Sequence, residues 1–349
     1  MESNSKYCLY LPGLTSDNQD VSSLLAVDIR EQFTAVTNYN IEGTNVSKDK
    51  TEIFRTASLT SAMEPIKLFL ENNKDVKYQK MVIAVPGVVL NGVAKPDRIP
   101  FTIDVESLRK ETGVSDIVMM NDVEASAYGL AFVKEENFIQ LSEGKANAKG
   151  NVAFLAPGSG LGEAGLFYDG DCLRPFATEG GHSEFSPRTN VEVEFYQFLN
   201  NIYGIVSWEH VLSKVGMFNI YRFLRDVKRH PEPEWLSERL ANGDFVTEVF
   251  KAATEENVLI CRIALDTYVE FLAREASNLV LKLKATGGLV IGGDISILIH
   301  KYFNNETFYK KFLRSDKMEE LLAAIPIYLL NDERTITKGA VAYAVFGKK

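Results

Sequence analysis

Apolar residues along the chain follow two patterns, short continuous runs and the three-to-four-residue spacing of helices. Short runs bounded by Gly, Pro or polar residues predict buried strands. They cover Ser23–Asp28, Gln32–Tyr39, Lys80–Val85, Asp116–Met120, Val152–Leu155, Glu163–Tyr168, Leu289–Ile291 and Ile327–Leu330. Helical spacing covers Ala57–Asn72, Val105–Thr112, Val123–Val133 and Lys338–Phe346, and most of Val191–Leu283. Pro65 predicts a kink in the first helix or a later start. We interpret residues 1–20 as a polar lead-in and Asn40–Lys50 as a loop.

The strand–turn–helix pattern occurs in both halves of the chain, each time with a polar turn at the carboxyl end of the strand. A chain of 349 residues, 46% hydrophobic, is too long for one ordinary core. We therefore predict two α/β domains with a cleft between them. Residues 1–131 plus 331–349 form the small domain and 132–330 the large one, because we expect the terminal helix to return to the first domain.

Composition narrows the class of protein. A formal net charge of −9 argues against a general nucleic-acid binder, although backbone N–H groups can still hold an anionic phosphate. Cys8, Cys172 and Cys261 are far apart and lack C-x-x-C spacing, which predicts reduced thiols rather than a disulfide framework or zinc cluster. The first residues do not resemble a signal peptide, and no apolar run is long enough for a membrane span. We expect a cytoplasmic protein.

A first candidate for chemistry is the Asn121-Asp122 pair, between a predicted strand and a predicted helix. Ligands in α/β sheets bind beyond the carboxyl ends of strands. There Asp122 could accept a proton from a substrate hydroxyl, and Asn121 could both donate and accept hydrogen bonds. The alternative is that Asp122 only caps the helix.

A second candidate is the loop Glu179-Gly180-Gly181-His182. Glycines allow close backbone approach, and a carboxylate beside an imidazole suits neighbouring sugar hydroxyls. A tight turn with a solvated Glu179 explains the motif equally well. A metal pair is a third interpretation, but Glu179 and His182 alone lack the further ligands of a closed site. We assign no metal ligand.

Two glycine-rich segments complete the set. Ala156–Gly162 joins two apolar strands and offers small residues, a hydroxyl and free N–H groups that suit phosphate. Gly287–Gly293 places two glycine pairs around a short strand, which permits close contact with a nucleotide. A plain hairpin turn and tight strand packing, respectively, are the alternatives.

Taken together, these motifs resemble the bacterial glucokinase family, which has the hexokinase, actin and heat-shock-protein ATPase fold. The resemblance extends from about residue 20 to the C-terminus. Its most specific parts are Asn121-Asp122-x-x-Ala125, Glu179-Gly180-Gly181-His182-x-x-Phe185-x-Pro187 and Val206-Ser207-x-Glu209-x-Val211-Leu212-Ser213. The last segment, by its pattern alone, is a helical core segment. The resemblance implies two actin-like ATPase (ribonuclease H-like) domains.

The resemblance also implies ATP-dependent phosphorylation of glucose, with ATP and Mg²⁺ taking part. Asp122 becomes the general base for the sugar 6-hydroxyl, and the ring hydroxyls are held by Asn121, Glu179, His182 and Glu209. The nucleotide would be bound by Asp28, Gly158, Ser159, Gly160, Gly162, Gly287, Gly288, Gly292 and Gly293. Partners are then a hexose and a nucleotide, and a homodimer is left open.

The chain departs from the family at the first phosphate loop. Where the family has Asp-x-Gly-Gly-Thr, this chain has Asp28-Ile29-Arg30-Glu31-Gln32. Side chains at Arg30 and Glu31 restrict positive φ and can obstruct phosphate, and Glu31 adds like charge that Arg30 partly compensates. Ala156 and Asp294 are milder departures.

Three hypotheses follow from these residues. The first is an active glucokinase with altered phosphate binding. The second is a sugar-binding homologue with weak or no catalysis and a sensing or regulatory role. The third is a two-domain α/β protein whose glycine turns are coincidental. The residues do not fix the preferred hexose, the phosphoryl donor, the oligomeric state or the pathway.

Overall fold

In a computed structural model of the chain, the structure describes residues 6–15, 22–145, 148–303, 305–332 and 334–347. The strands are β1 Ser23–Ile29, β2 Phe33–Glu42, β3 Asn45–Arg55, β4 Lys80–Val85, β5 Val89–Leu90, β6 Val93–Ala94, β7 Ile103–Asp104, β8 Asp116–Asn121, β9 Phe138–Ser142, β10 Val152–Pro157, β11 Leu161–Tyr168, β12 Leu173–Ala177, β13 Gly288–Ile291 and β14 Ile327–Leu330. The α-helices are α1 Met63–Asn72, α2 Val105–Thr112, α3 Asp122–Gly129, α4 Asn190–Tyr203, α5 Lys214–Arg222, α6 Glu234–Asn242, α7 Phe245–Thr254, α8 Leu259–Leu283, α9 Asp294–Ile299, α10 Lys310–Phe312, α11 Glu319–Ala323 and α12 Thr335–Phe346. Among the described residues, none of these helices combines the length and apolarity that a membrane crossing needs.

The chain divides into two compact units. The first comprises Met1–Asn137, Leu166–Ala177 and Asp332–Lys349, and the second comprises Phe138–Gly165 and Thr178–Asn331. Strand β11 therefore begins in the second unit and ends in the first. The domain bounds expected from the sequence, 1–131 plus 331–349 and 132–330, stay a prediction.

The first unit is built on a sheet of order β3-β2-β1-β4-β8. Strands β1, β4 and β8 are parallel, and Asp28 aligns with Ala84 while Val85 aligns with Asn121. The carboxyl ends of these three strands consequently lie at one edge of the sheet. Fully buried Ile66 and other apolar residues of α1 and α2 form the core with this sheet.

Helix α12 packs on α3 in the same unit at backbone distance. A side chain at Gly339 would collide with the carbonyl of Ala125, and one at Gly129 would collide with the carbonyl of Thr335. Only glycine permits such an approach. The last helix therefore supports the helix that begins with Asp122.

The N-terminal segment corrects the predicted polar lead-in. Tyr7, Leu9 and Leu11 are buried, and Leu9 pairs in parallel with Leu173 of β12. Gly13 lies against the backbone of Phe346. The alternation of these apolar residues is the strand signal that the overall polarity of residues 1–20 concealed.

The second unit contains strands in the order β11-β10-β13-β14-β9. Strands β10, β13 and β14 are parallel, and β9 runs antiparallel to β14. The core of this unit includes residues of α4, α5, α7 and α8, and α8 is buried along most of its length. It carries the mostly helical region that the sequence predicted.

Strands β4 and β14 and helix α2 have the predicted bounds. The predicted loop Asn40–Lys50 is wrong, because β2 continues to Glu42 and β3 starts at Asn45 after a tight turn. Strand β3 lies at the sheet edge and is mostly polar, which is usual for an edge strand and hides it from an apolar pattern.

Helix α1 starts at Met63, as Pro65 indicated. Helix α3 ends earlier than predicted and continues as a 3₁₀ turn, Leu130–Phe132.

Candidate active site

The Asn121-Asp122 pair lies where β8 ends and α3 begins. Asn121 is the N-cap of α3, since its Oδ1 accepts hydrogen bonds from the N–H groups of Val123 at 2.8 Å and Glu124 at 3.0 Å. Its Nδ2 donates to the carbonyl of Gly87 at 3.0 Å. The capping role that the sequence allowed for Asp122 therefore belongs to Asn121, and the Asp122 carboxylate is not needed to start the helix.

Asp122 is half-buried at the edge of the first unit's sheet. Burial, and then the charge of Asp28, raise the pKa of Asp122, while backbone hydrogen bonds and the Arg30 guanidinium lower it, and together they give a pKa of about 7. A carboxyl group with that pKa exchanges its proton near neutral pH. This property suits a general base.

Asp28, at the carboxyl end of β1, is buried and heavily engaged. Arg30 Nε donates to both carboxylate oxygens at 3.2 Å, and Nη2 donates to Oδ2 at 2.9 Å. Thr337 Oγ1 donates to the same Oδ2 at 2.9 Å. Forked guanidinium–carboxylate pairs of this kind are strong and directional. Asp28 is thus already bound by a cation from its own hairpin.

The turn Arg30-Glu31-Gln32 closes the β1–β2 hairpin without positive φ in any of its three residues. The N–H of Arg30 donates to the carbonyl of Phe33 at 2.8 Å, and the hydroxyl of Thr56 donates to the carbonyl of Arg30 at 2.7 Å. The guanidinium of Arg30 lies 5.0 Å from the ring centre of Phe33. Glu31 and Gln32 are exposed. The turn has a fixed shape that depends on Arg30.

The loop Glu179–His182 lies in the second unit against β11. A Cβ on Gly180 would collide with the Glu163 carboxylate, and one on Gly181 would collide with the carbonyl of Leu161. These glycines are therefore required by packing. Glu179 and His182, at either end, are exposed.

Glu209 is brought to this loop by a short antiparallel bridge. The N–H of Phe185 donates to Val206 at 2.9 Å, and the N–H of Trp208 donates to Ser183 at 3.0 Å. Glu209 follows in a 3₁₀ turn, Trp208–His210, rather than in the helix that the pattern indicated.

The charges of these three residues interact. Although Glu179 is exposed, partial desolvation of its carboxyl group raises its pKa, the nearby His182 lowers it, and the nearby Glu209 raises it. The structure thus brings Glu179, His182 and Glu209 into one polar cluster of the second unit. Their roles as sugar contacts stay predictions.

The turn between β10 and β11 contains Gly158, Ser159 and Gly160 of the predicted second phosphate loop, whereas Gly162 lies in β11. Its N–H at Gly158 donates to Gly160 at 2.8 Å, and Glu209 Oε2 accepts from the N–H of Leu161 at 3.1 Å. A Cβ on Gly160 would lie 2.6 Å from that same Glu209 oxygen, and one on Gly158 would lie 2.8 Å from Asp294 Oδ1. The small residues let two carboxylates approach the backbone.

Each glycine of Gly287–Gly293 has a reason in packing or in backbone conformation. A side chain at Gly287 would collide with the carbonyl of Gly150, and one at Gly293, where φ is +82°, would collide with the carbonyl of Pro157. Gly288 has a φ of +139°, and Gly292 lies against the Phe154 ring. The packing alternative therefore explains them, and the adenosine role stays a prediction.

Sequence reasoning missed a buried acidic pair beneath the Glu179–His182 loop. Glu163 and Glu275 are nearly inaccessible to solvent. Burial raises the pKa of Glu163, and the neighbouring Glu275 raises it further. Both carboxyls are tolerated because Glu163 favours its neutral form, whereas Glu275 pairs with Lys282 and accepts a hydrogen bond from Asn278. Acidic residues inside apolar stretches of β11 and α8 were the available signal.

Comparison with known proteins places these motifs in context. A family model described as glucokinase matches residues 25–345. The glucokinase of Nostoc sp. (strain PCC 7120) is 30% identical over 279 residues, which cover 76% of this chain and 82% of that protein.

Two solved structures are similar to this fold. A glucokinase from an Antarctic psychrotroph matches with a TM-score of 0.75 and 20% identity, covering 93% of this chain and 98% of that one. A ROK family glucokinase from Streptomyces griseus in complex with glucose and AMPPNP matches with a TM-score of 0.61 and 16% identity, covering 92% and 99%. These likenesses confirm the predicted α/β fold with two actin-like ATPase domains.

Proposed function

Because the chain belongs to the glucokinase family, we propose that it transfers the γ-phosphoryl group of ATP to the 6-hydroxyl of glucose. The observation that carries the proposal is Asp122, whose pKa of about 7 suits proton transfer from a sugar hydroxyl. Glucose and AMPPNP in the Streptomyces griseus structure support the choice of both substrates.

In the proposed reaction, Asp122 accepts the proton of the 6-hydroxyl while that oxygen bonds to the γ-phosphorus. The bond between the γ-phosphorus and the β-bridging oxygen breaks, and ADP leaves. Asn121 supports this step by capping α3, which fixes the position of Asp122. In Asn121, Oδ1 accepts from the N–H groups of Val123 and Glu124, and one N–H of the side-chain amide donates to the carbonyl of Gly87. The second N–H of that amide is the proposed donor to a sugar hydroxyl.

Glu179, His182 and Glu209 are the proposed contacts for the remaining ring hydroxyls. Carboxylates accept hydrogen bonds and an imidazole can donate or accept, so the cluster offers mixed partners to a polyol. Glu209 also accepts from the backbone N–H of Leu161, which connects the proposed sugar cluster to the proposed phosphate loop.

The nucleotide is proposed to contact Gly158, Ser159, Gly160 and Gly162 through its phosphates and Gly287, Gly288, Gly292 and Gly293 near its adenosine. Mg²⁺ would enter with ATP and would supply positive charge that offsets the charge of the phosphates. Asp28 does not fit a Mg²⁺ ligand while its carboxylate is forked to Arg30. No step of the proposal is therefore assigned to a protein-bound metal.

A second candidate function is sugar binding with weak or no catalysis, in a sensing or regulatory role. The Arg30–Asp28 pair favours it, because this cation stands in the turn where the family carries glycines. Titration calorimetry with glucose and with Mg-ATP separates the candidates. Glucose binding without nucleotide binding supports the second function.

The direct test of the kinase is a coupled assay of ADP formation with glucose. We expect Asp122→Asn to lower kcat about 10³-fold, since general base catalysis contributes that order. Glu124→Gln, on the same helix, is the matched control and keeps the activity. Equal turnover in wild type and Asp122→Asn would contradict the proposed base.

We further propose a cytoplasmic enzyme that acts on small molecules rather than nucleic acid, in keeping with the net charge of −9. A homodimer stays open. Light scattering of the purified chain with and without glucose measures the oligomeric state.

A further inference from the structure

Two cysteines that are distant in sequence are neighbours in the first unit. The Sγ atoms of Cys8 and Cys172 lie 2.9 Å apart, although 164 positions separate the residues. Cys8 belongs to the N-terminal segment 6–15, and Cys172 lies in the turn between β11 and β12. The wide spacing in the sequence did not indicate this proximity.

The backbone places the two side chains side by side. Leu9 and Leu173 form a parallel pair, in which the N–H of Leu173 donates to the Cys8 carbonyl at 2.8 Å and the N–H of Tyr10 donates to Leu173 at 2.9 Å. Cys8 and Cys172 each precede a paired residue, so their backbones are separated by about 4.8 Å, the spacing of neighbouring strands. That separation falls within the Cα range of disulfides, and no backbone movement is needed.

Contacts other than the sulfurs hold both segments in place. Asp169 Oδ1 accepts from the N–H of Cys172 at 2.9 Å, and Arg174 Nε donates to Asp169 Oδ2 at 2.7 Å. The Arg174 guanidinium also lies 3.5 Å from the ring centre of Tyr10. This chain of contacts keeps the thiols together before any bond forms between them.

We propose that Cys8 and Cys172 are a redox modification site, which peroxide converts reversibly to a disulfide that fastens the N-terminal segment to β12. The sulfur of exposed Cys8 attacks a peroxide oxygen, giving a sulfenic acid and water. The Cys172 sulfur then attacks the Cys8 sulfur, the S–O bond breaks, and a second water leaves. Peroxide gains the two electrons and two protons that the thiols lose.

The surroundings assign the order of these two steps. The pKa of the Cys172 thiol is raised by its contact with Cys8, by burial, and by the carboxylates of Asp169 and Asp171. Cys172 is therefore the poorer initial nucleophile and the resolving thiol. Cys261 is fully buried, and burial raises its pKa to about 12, which makes it an inert internal control.

The bond would join two segments of the first unit and close a loop of more than 160 residues, which includes Phe138–Gly165 of the second unit. A cross-link of that span restricts the unfolded chain and stabilises the folded one. Strand β12 packs against α3, which begins with Asp122, so the site lies one element away from the proposed base. The proposal itself does not depend on kinase activity.

The experiment treats the full-length chain with hydrogen peroxide and maps its peptides without reduction. We expect a peptide pair joined through Cys8 and Cys172, lighter by two hydrogen atoms and separated by dithiothreitol. The link should form in wild type and Cys261→Ser, and be lost in Cys8→Ser and Cys172→Ser. In Cys172→Ser, a dimedone adduct should mark Cys8 as the sulfenic acid.

Thermal unfolding supplies the second measurement. Oxidation should raise the Tm of wild type and Cys261→Ser, and leave the Tm of Cys8→Ser and Cys172→Ser unchanged. Peroxide-treated protein with separate sulfinic acids at the two positions, or with links only between chains, would overturn the proposal. So would an unchanged Tm in protein that carries the link, because the bond would then fasten nothing.

Discussion

The two hairpin turns that were predicted as phosphate loops, β1–β2 and β10–β11, are held in their conformations in opposite ways. The β1–β2 turn is shaped by a side chain, since Arg30 folds back on Asp28. The β10–β11 turn is shaped by missing side chains, since Gly158 and Gly160 admit the carboxylates of Asp294 and Glu209. A turn can thus be fixed either by filling its space or by leaving space for its neighbours.

The difference has a consequence for phosphate binding. In the β10–β11 turn, the small residues leave room for an anion to approach the backbone. In the β1–β2 turn, the nearby positive charge is already neutralised by Asp28. The comparison therefore predicts that the nucleotide depends on the second turn, and that the first turn limits its affinity.

The largest expected effect comes from filling the β10–β11 turn. Gly160→Ala places a Cβ within 2.6 Å of Glu209 Oε2, so Glu209 must move and its bond to Leu161 is lost. We expect kcat/KM to fall about 100-fold, the cost of a misplaced site residue, and stability to fall by about 1 kcal/mol, since the colliding atom can move and the main loss is one hydrogen bond. The coupled assay and thermal unfolding measure the two losses.

A double variant is the control for that interpretation. Gly160→Ala with Glu209→Ala removes the colliding carboxylate, so its Tm should equal that of Glu209→Ala alone while activity stays low. A double variant with a Tm below that of Glu209→Ala would show that the collision with Glu209 is not the cause.

The next largest effect is expected from removing the Arg30 and Glu31 side chains of the β1–β2 turn. Arg30→Gly with Glu31→Gly should tighten Mg-ATP binding about tenfold, or by about 1.4 kcal/mol, because neither side chain then obstructs the phosphates. Calorimetry measures the dissociation constant. Glu31→Gly alone is the control, because Glu31 is exposed and the fork to Asp28 remains. Unchanged affinity in the double variant would count against our view of this turn.

A smaller effect is expected from the acidic pair beneath the Glu179–His182 loop. Glu163 keeps its proton in the folded protein above the ordinary value of 4.5, whereas the unfolded chain releases it there. Stability is therefore lost as pH rises from about 4.5 upward. Glu163→Gln does not titrate, and we expect it to exceed wild type by about 1 kcal/mol at pH 8 and by little at pH 5.

Thermal unfolding at the two pH values measures this difference. Glu143→Gln, in an exposed position of the same unit, serves as the control for the loss of a carboxyl group. An advantage of Glu163→Gln that is equal at both pH values would show that its proton is not involved.

The smallest effect is a displacement of the pH profile. Wild-type kcat/KM should decline below pH 7, where Asp122 becomes protonated. Arg30→Ala removes a positive charge that favours the carboxylate, so the decline should begin about half a pH unit higher. Arg30→Lys keeps the charge and should keep the wild-type profile. An unshifted profile in Arg30→Ala would show that this guanidinium does not influence the pKa of Asp122.

The sequence predicted more of the parallel strands than of their surroundings. Strands such as Lys80–Val85 are continuous apolar runs, because they are covered on both faces. The edge strand β3 carries the opposite pattern and was missed. Residues 6–11 alternate correctly, yet their burial depends on β12, which lies more than 160 positions later.

In the candidate site too, local patterns were predicted from the sequence, whereas features that depend on side-chain geometry were not. The Asn121-Asp122 pair was located by its strand–helix boundary, but which of the two caps the helix is a matter of side-chain geometry. Glu209 was identified only through the family resemblance, since its 3₁₀ turn gives no periodic signal. The Arg30–Asp28 fork required coordinates, because residue types do not specify a rotamer.

The close crossing of α3 and α12 also bears on how the chain is synthesised. Some two hundred residues separate Gly129 from Thr335, so α3 emerges from the ribosome long before the helix that covers it. Until translation reaches α12, the backbone of Ala125 and Gly129 has no partner on that side. A nascent chain stalled before residue 335 should therefore expose this surface to chaperones.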